Sequence, residues 1–145
     1  MLKQEYIDTG KVYYVFKDYP IKQLHPQAEI ASQAAECAGE QGKYWDMHAA
    51  LFENAAEWDT TEEAARSAMN GYAEDLALEA VQFASCMEPG SPARADVESN
   101  MAEGRRLGLT GTPSFVINGK LLAGAQPLDV FQRVFDRELK NVGAE

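Results

Sequence analysis

Two cysteines, Cys37 and Cys86, and two histidines, His25 and His48, are the residues of this chain whose types suit nucleophilic, redox or metal chemistry. Their spacing supports little of it. A dithiol redox centre needs one thiolate favoured by the unpaired N–H groups and dipole of a helix N-terminus, and a second thiol one turn away to resolve the mixed disulfide. Cys37 and Cys86 stand nearly fifty residues apart, the first in mid-helix and the second near a helix end, and no Cys-X-X-Cys occurs anywhere. Neither histidine has a cysteine or histidine partner at zinc-ligand spacing. His25 precedes Pro26 in a loop and His48 lies among aromatics, so packing or exposure accounts for both and no metal site is expected. Glu57, Asp59, Glu62 and Glu63 cluster around Trp58, but a solvated acidic helix start explains them without acid–base catalysis. Gly108-Leu109-Thr110-Gly111 lacks the lysine of a phosphate cradle and runs into Thr112-Pro113.

The elements that would position these residues follow from periodicity and punctuation. Residues 1–8 read as the last turns of a helix, with Leu2, Tyr6 and Ile7 on one side and Thr9-Gly10 as the stop. The run Val12-Tyr13-Tyr14-Val15-Phe16 predicts a parallel strand buried on both faces. Amphipathic segments separated by Gly, Asn and Pro predict helices near 27–39, 43–55, 61–69, 73–87 and 92–107. In the second of these, Trp45, His48 or Ala49, and Phe52 recur at helical spacing, which predicts an aromatic stripe facing the core. Asn118-Gly119 between two apolar runs, 114–117 and 120–123, is the signature of a type I′ hairpin, because that turn needs positive φ at both central positions. Pro127 opens a final helix with Leu128, Phe131, Phe135 and Leu139 on its apolar face.

Bulk properties narrow the classes further. A length of 145 residues fits one domain over 1–145 with a core of its own. Thirteen basic against 23 acidic residues give a formal net charge of -10, which opposes binding to phosphate backbones, so nucleic acid is not an expected partner. No stretch reaches the roughly 18 consecutive apolar residues of a membrane span, and the start Met1-Leu2-Lys3-Gln4-Glu5 has no secretory h-region. Membrane insertion is not expected.

The stretch from Leu109 through Thr112-Pro113 to Gly119 resembles the cis-proline loop and following hairpin of thioredoxin-fold oxidoreductases. Three further stretches are similar to the DsbA-like branch of that family: 11–24 with His25-Pro26, Ala34-Ala35-Glu36-Cys37-Ala38 with Gly42-Lys43-Tyr44-Trp45 and His48, and Gly124-Ala125-Gln126-Pro127. The resemblance implies an α/β, incomplete thioredoxin-like fold with a large helical insertion over about 27–107. It implies a cis Thr112–Pro113 bond, with Thr112 turning its backbone toward the redox site to hold an extended peptide. Members of the family begin with a strand, followed by the Cys-X-X-Cys at the start of a helix whose final turns read like residues 1–8. This chain therefore looks N-terminally truncated inside that helix.

The function implied by the resemblance is protein thiol–disulfide oxidoreduction without an organic cofactor, with protein or peptide thiols as partners. Lacking the nucleophile, the chain by itself is expected to be inactive. The alternative is a non-catalytic peptide-binding or assembly protein, and a glutathione-transferase-like relative matches the hairpin and Gly-Ala-Gln-Pro less well. Some DsbA-like relatives carry a second, non-catalytic bridge, so the resemblance favours a structural Cys37–Cys86 disulfide over two buried thiols. It also implies an extracytoplasmic setting, periplasmic or secreted, with the cytoplasm left open by the absence of a signal. The missing strand lies centrally in the family's sheet, between the strand of 11–17 and the one after the cis-proline. Unpaired edges are templates for association, so the two strands are expected either to close up or to be completed by a second copy in a homodimer.

Overall fold

The computed structural model describes residues 1–143. The chain divides into two compact units, one built from Met1–Phe16 with the residues from Leu109 onward, the other from Lys17–Gly108. The buried apolar cluster lies in the second.

The helical unit carries six helices, α1 (Ala28–Gly39), α2 (Tyr44–Glu53), α3 (Ala55–Trp58), α4 (Glu62–Asp75), α5 (Ala80–Cys86) and α6 (Pro92–Arg106). α1 is central because one of its faces is made of small residues. Ala31, Ala34, Ala35 and Ala38 recur at i, i+3, i+4 and i+7 and are buried, letting neighbouring helices approach closely. Met47 and Leu51 of α2, Ala65, Met69, Tyr72 and Ala73 of α4, Phe83 and Cys86 of α5 and Ala93 of α6 join them in one apolar cluster. The starts of α4, α5 and α6 are capped by side chains: Thr61 Oγ1 accepts from Ala64 N, the Glu79 carboxylate from Val81 N and Gln82 N, and Ser91 Oγ from Arg94 N ahead of Pro92.

Two expectations in this unit fail. Of the stripe Trp45–His48–Phe52, Trp45 and Phe52 face outward, 53% and 70% exposed, and His48 is half-buried, while Met47 and Leu51 are the side chains that enter the core. The helical period holds but its phase is set elsewhere. The connection from α1 is a tight turn through Gly42 at φ +75°, in which Ala38 O accepts from both Gln41 N and Lys43 N, and this fixes which side of α2 meets α1. The break expected at Asn70-Gly71 is also absent: α4 runs on to Asp75 and stops at Ala77, whose φ is +54°. There Leu78 N bonds Ala73 O and Ala77 N bonds Glu74 O, a Schellman ending that normally recruits glycine.

In the other unit, β1 (Ser114–Ile117) pairs antiparallel with β2 (Lys120–Ala123), Phe115 opposite Leu122 and Val116 opposite Leu121. Asn118 at φ +47° and Gly119 at φ +79° form the turn, as a type I′ hairpin requires. α7 (Leu128–Asn141) covers the hairpin, its Phe131 ring 4.8 Å from that of Phe115. A single π-helical turn, Lys3–Ile7, packs on α7 through Tyr6, whose ring lies 5.1 Å from Phe135 and whose hydroxyl donates to Asp136 Oδ1 at 2.8 Å. Burial adds to the Asp136 carboxylate in raising the Tyr6 pKa to about 12, the hydrogen bond being the larger cause.

The strand expected over 12–16 is not formed. Among the described residues the sheet has two strands only, β1 and β2, and Tyr13 is 92% and Val15 55% exposed. A strand exists where a neighbour at about 4.8 Å takes up its N–H and C=O groups; this run has no such ladder, so its β-branched and aromatic composition is not realised as β-structure. The expected closing-up of the two strands does not occur within the chain. α7 shows a smaller shift from expectation, since Leu128 is half-exposed while Glu138 is buried against Lys120 at 2.8 Å.

Candidate functional site: the Thr112–Pro113 loop

The loop before β1 is shaped by its own main chain. The Thr112–Pro113 peptide bond is cis. On its two sides Ser114 Oγ donates to Gly111 O at 2.7 Å, and Gly124 N donates to Pro113 O at 2.8 Å, which ties the loop to the end of β2. Gln126 Nε2 donates to Ala123 O at 2.7 Å and steadies the strand's exit into α7. Thr112 and Pro113 themselves are exposed. The loop therefore presents a fixed backbone corner on a hairpin, a geometry suited to receiving another extended segment.

The cysteines serve a different end. Cys37 of α1 and Cys86, the last residue of α5, are joined by a disulfide with their Cα atoms 5.6 Å apart, and among the described residues no cysteine is free. Both are buried. The surrounding contacts are those of a structural bridge: the buried Gln33 side chain donates from Nε2 to Cys86 O at 2.9 Å and Glu88 O at 3.0 Å, and approaches Ser91 Oγ at 3.2 Å.

The histidines and the acidic cluster around Trp58 are placed in separate structural contacts. His25 Nδ1 meets Asp59 Oδ2 at 2.5 Å, and Asp59 Oδ1 also accepts from Gln27 N at 3.3 Å, so Asp59 orders the entry to α1. Glu57 accepts from the Tyr72 hydroxyl at 2.8 Å, and burial together with that bond pushes the Tyr72 pKa up to about 12. Glu62 pairs with Arg66 one helical turn on. No group of three or more His, Cys, Asp or Glu among the described residues is arranged to hold a metal ion.

One constellation escaped the sequence reading. Asp18 is only 4% exposed and accepts from Asn100 Nδ2 of α6 at 3.4 Å, and its carboxylate is felt by Glu36 of α1. Burial first, then the neighbouring Asp18 carboxyl and the charge of Asp96, push the Glu36 pKa up to about 7. The signal in the sequence was a carboxylate set within the alanine-rich face, Ala34-Ala35-Glu36-Cys37-Ala38, but its partner lay eighteen residues away.

The family described as Thioredoxin matches residues 1–137. This chain belongs to the thioredoxin family. The thioredoxin-like architecture is present in its incomplete form, a helix-rich chain with a small two-stranded sheet and a helical insertion. Among curated relatives, the Na(+)/H(+) antiporter NhaA 1 of Salinispora arenicola is 31% identical over 123 residues, 84% of this chain and 18% of that protein. The Na(+)/H(+) antiporter NhaA 3 of Salinispora tropica is 30% identical over 114 residues, 79% of this chain and 16% of that protein. The Na(+)/H(+) antiporter NhaA of Herminiimonas arsenicoxydans is 31% identical over 112 residues, 74% and 16% respectively. This thioredoxin-family chain thus spans less than a fifth of the length of these relatives. No solved structure matches it. Family membership supports an oxidoreductase-like function at a general level, and among the described residues no helix is long and apolar enough to cross a membrane.

Proposed function

We propose that this thioredoxin-family chain is of the DsbA-like branch and that it supplies the peptide-receiving side of a protein thiol–disulfide oxidoreductase. The observation that carries the reading is the exposed Thr112–Pro113 corner with its cis peptide bond, at the head of the β1–β2 hairpin. A peptide lying along this corner would be held through its main chain, with side chains free to vary. The partners are protein or peptide thiols. The chain's only two cysteines are joined to each other, so it offers no thiolate to attack a substrate disulfide and is catalytically silent by itself. The transport named in its relatives is not the reading favoured for this stretch.

The test has two arms. Insulin reduction driven by dithiothreitol should proceed no faster with the purified chain than without it; catalysed turnover would overturn the silent assignment. In the second arm an extended cysteine-containing peptide is titrated into isotope-labelled chain, and the amide resonances of Gly111, Thr112 and Ser114 should shift selectively. No shift at these residues would remove the peptide-receiving role.

A second reading, a non-catalytic assembly protein that dimerises through its incomplete sheet, is favoured by the exposed apolar side chains of Tyr13 and Val15 in a run of strand-forming composition. Light scattering on the eluting peak distinguishes it: a dimer supports assembly, and a monomer at high micromolar concentration excludes it.

A further inference from the structure

The β1–β2 hairpin leaves one face and one edge open. Cross-strand partners share a face, and side chains alternate along each strand. Phe115 packs on Phe131 of α7 with ring centres 4.8 Å apart, and Lys120 Nζ reaches Glu138 at 2.8 Å, so Phe115, Ile117, Lys120 and Leu122 face α7. The opposite face carries Ser114, Val116, Leu121 and Ala123 and bears no charged side chain. Val116 and Leu121, paired directly across the strands, are 47% and 52% exposed there. The open edge follows from the register. A two-residue I′ turn makes its flanking residues Ile117 and Lys120 a hydrogen-bonded pair, Phe115 and Leu122 form the next, and Gly124 N donating to Pro113 O continues the series. The main-chain N–H and C=O groups of Ser114 and Val116 therefore point away from β2, along the outer edge of β1. Among the described residues the sheet has no third strand to meet them.

The same unit holds a segment of matching chemistry. The run Val12-Tyr13-Tyr14-Val15-Phe16 is uncharged and strand-forming, lies outside the sheet, and exposes Tyr13 and Val15. Both of its ends are fastened: Val12 N donates to Tyr6 O at 2.9 Å, and Lys17 Nζ binds Glu103 at 2.5 Å. Charge favours a meeting of two copies at this unit. Of the formal charges, six basic and six acidic residues lie in Met1–Phe16 and from Leu109 onward, so the net charge of -10 resides in Lys17–Gly108. Copies repel through their helical units and approach at the balanced one.

We propose that the outer edge of β1 and the Val116–Leu121 face receive residues 12–16 of a second copy of this chain as an added strand. The proposal rests on the assembly reading above and names the edge, the segment and the kind of contact. The main chain of the run pairs with Ser114 and Val116, and its apolar side chains extend the uncharged face, so the contact buries no charge.

Two measurements on the whole chain test this. In a mixed sample at high micromolar concentration, with some copies labelled with nitrogen-15 and deuterium and the others unlabelled, magnetisation transfer should connect the amides of Ser114 and Val116 in one copy with residues 13–15 of the other. Tyr13→Lys and Val116→Lys, both at exposed positions, should each weaken the dimer by about tenfold in sedimentation equilibrium. The wild-type contacts stand independently of how well the variants fold. A wild-type monomer at that concentration overturns this inference together with the assembly reading. A dimer without these contacts, or one that both substitutions leave equally tight, overturns the placement alone and leaves assembly through another surface standing. Shifts of the Ser114 and Val116 amides on adding an unrelated uncharged apolar peptide to a monomeric chain would assign the edge to a client protein and overturn the second copy as its occupant.

Discussion

Gln33 shows how one side chain fastens the backbone between two helices. Its buried amide serves Cys86 O and Glu88 O where α5 has ended and α6 has not begun. Replacing it with alanine removes the partner of the buried Cys86 carbonyl, and should destabilise the helical unit by about 1–3 kcal/mol, measured as a lower urea midpoint. Glu29 is a comparable centre for charge, since Lys22 at 2.7 Å and Arg94 both reach its carboxylate. Burial works against its ionisation, but the two cations prevail and hold its pKa below the ordinary value. That contribution is present above the ordinary carboxyl range and is lost as pH falls through the lowered folded-state value, opposite in sign to Glu36.

At the scale of the element, α4 and its ending carry a paired prediction. Gly71 lies inside the helix, is exposed, and a Cβ placed there meets nothing within 4 Å. Gly71→Ala should therefore stabilise by about 0.5–1 kcal/mol through helix propensity alone. Ala77, with φ +54°, holds a conformation that costs an L-residue about 1 kcal/mol, and Ala77→Gly should recover much of it. Thermal melts of the two single variants and their combination test both, with near-additive gains expected because the sites act through different backbone terms. The Cys37–Cys86 bridge joins α1 to α5 across a separation of 49 residues. In the chain-entropy account, a closed loop of that length stabilises the fold by about 4 kcal/mol. Denaturant melts of the oxidised chain and of a Cys37→Ala/Cys86→Ala variant should differ by that order, and thiol titration of the unfolded, unreduced chain should find no free thiol.

For the whole molecule, the decisive feature is a short sheet in one unit and a well-filled helical core in the other. β1 and β2 pair only with each other among the described residues, whereas α1, α2, α4, α5 and α6 share one apolar cluster. Unfolding of the two units is therefore expected to be separable. Fluorescence of Trp45 and Trp58, both in Lys17–Gly108, should report a transition at higher urea than the loss of the hairpin amides Val116 and Leu121 seen by NMR. Coincident transitions would show that the units unfold as one.

The residues alone were enough for the helical blocks, for the I′ hairpin and for the Thr112-Pro113 loop, because each is governed by short-range rules: helical spacing, positive φ at Asn118 and Gly119, and glycine or proline punctuation. The same sequence also carried the resemblance to the thioredoxin fold, which the family match supports. What required the tertiary structure were the properties set by neighbours distant in the chain. The run 12–16 has every local mark of a strand, yet no ladder takes up its hydrogen bonds. The Trp45–Phe52 stripe has the right period, but the turn through Gly42 turns it outward. Glu36 feels the Asp18 carboxylate only because α1 folds back beside the segment that precedes it. Local chemistry determines which conformations a segment favours; which face is buried and which strand is paired depend on what the rest of the chain brings alongside.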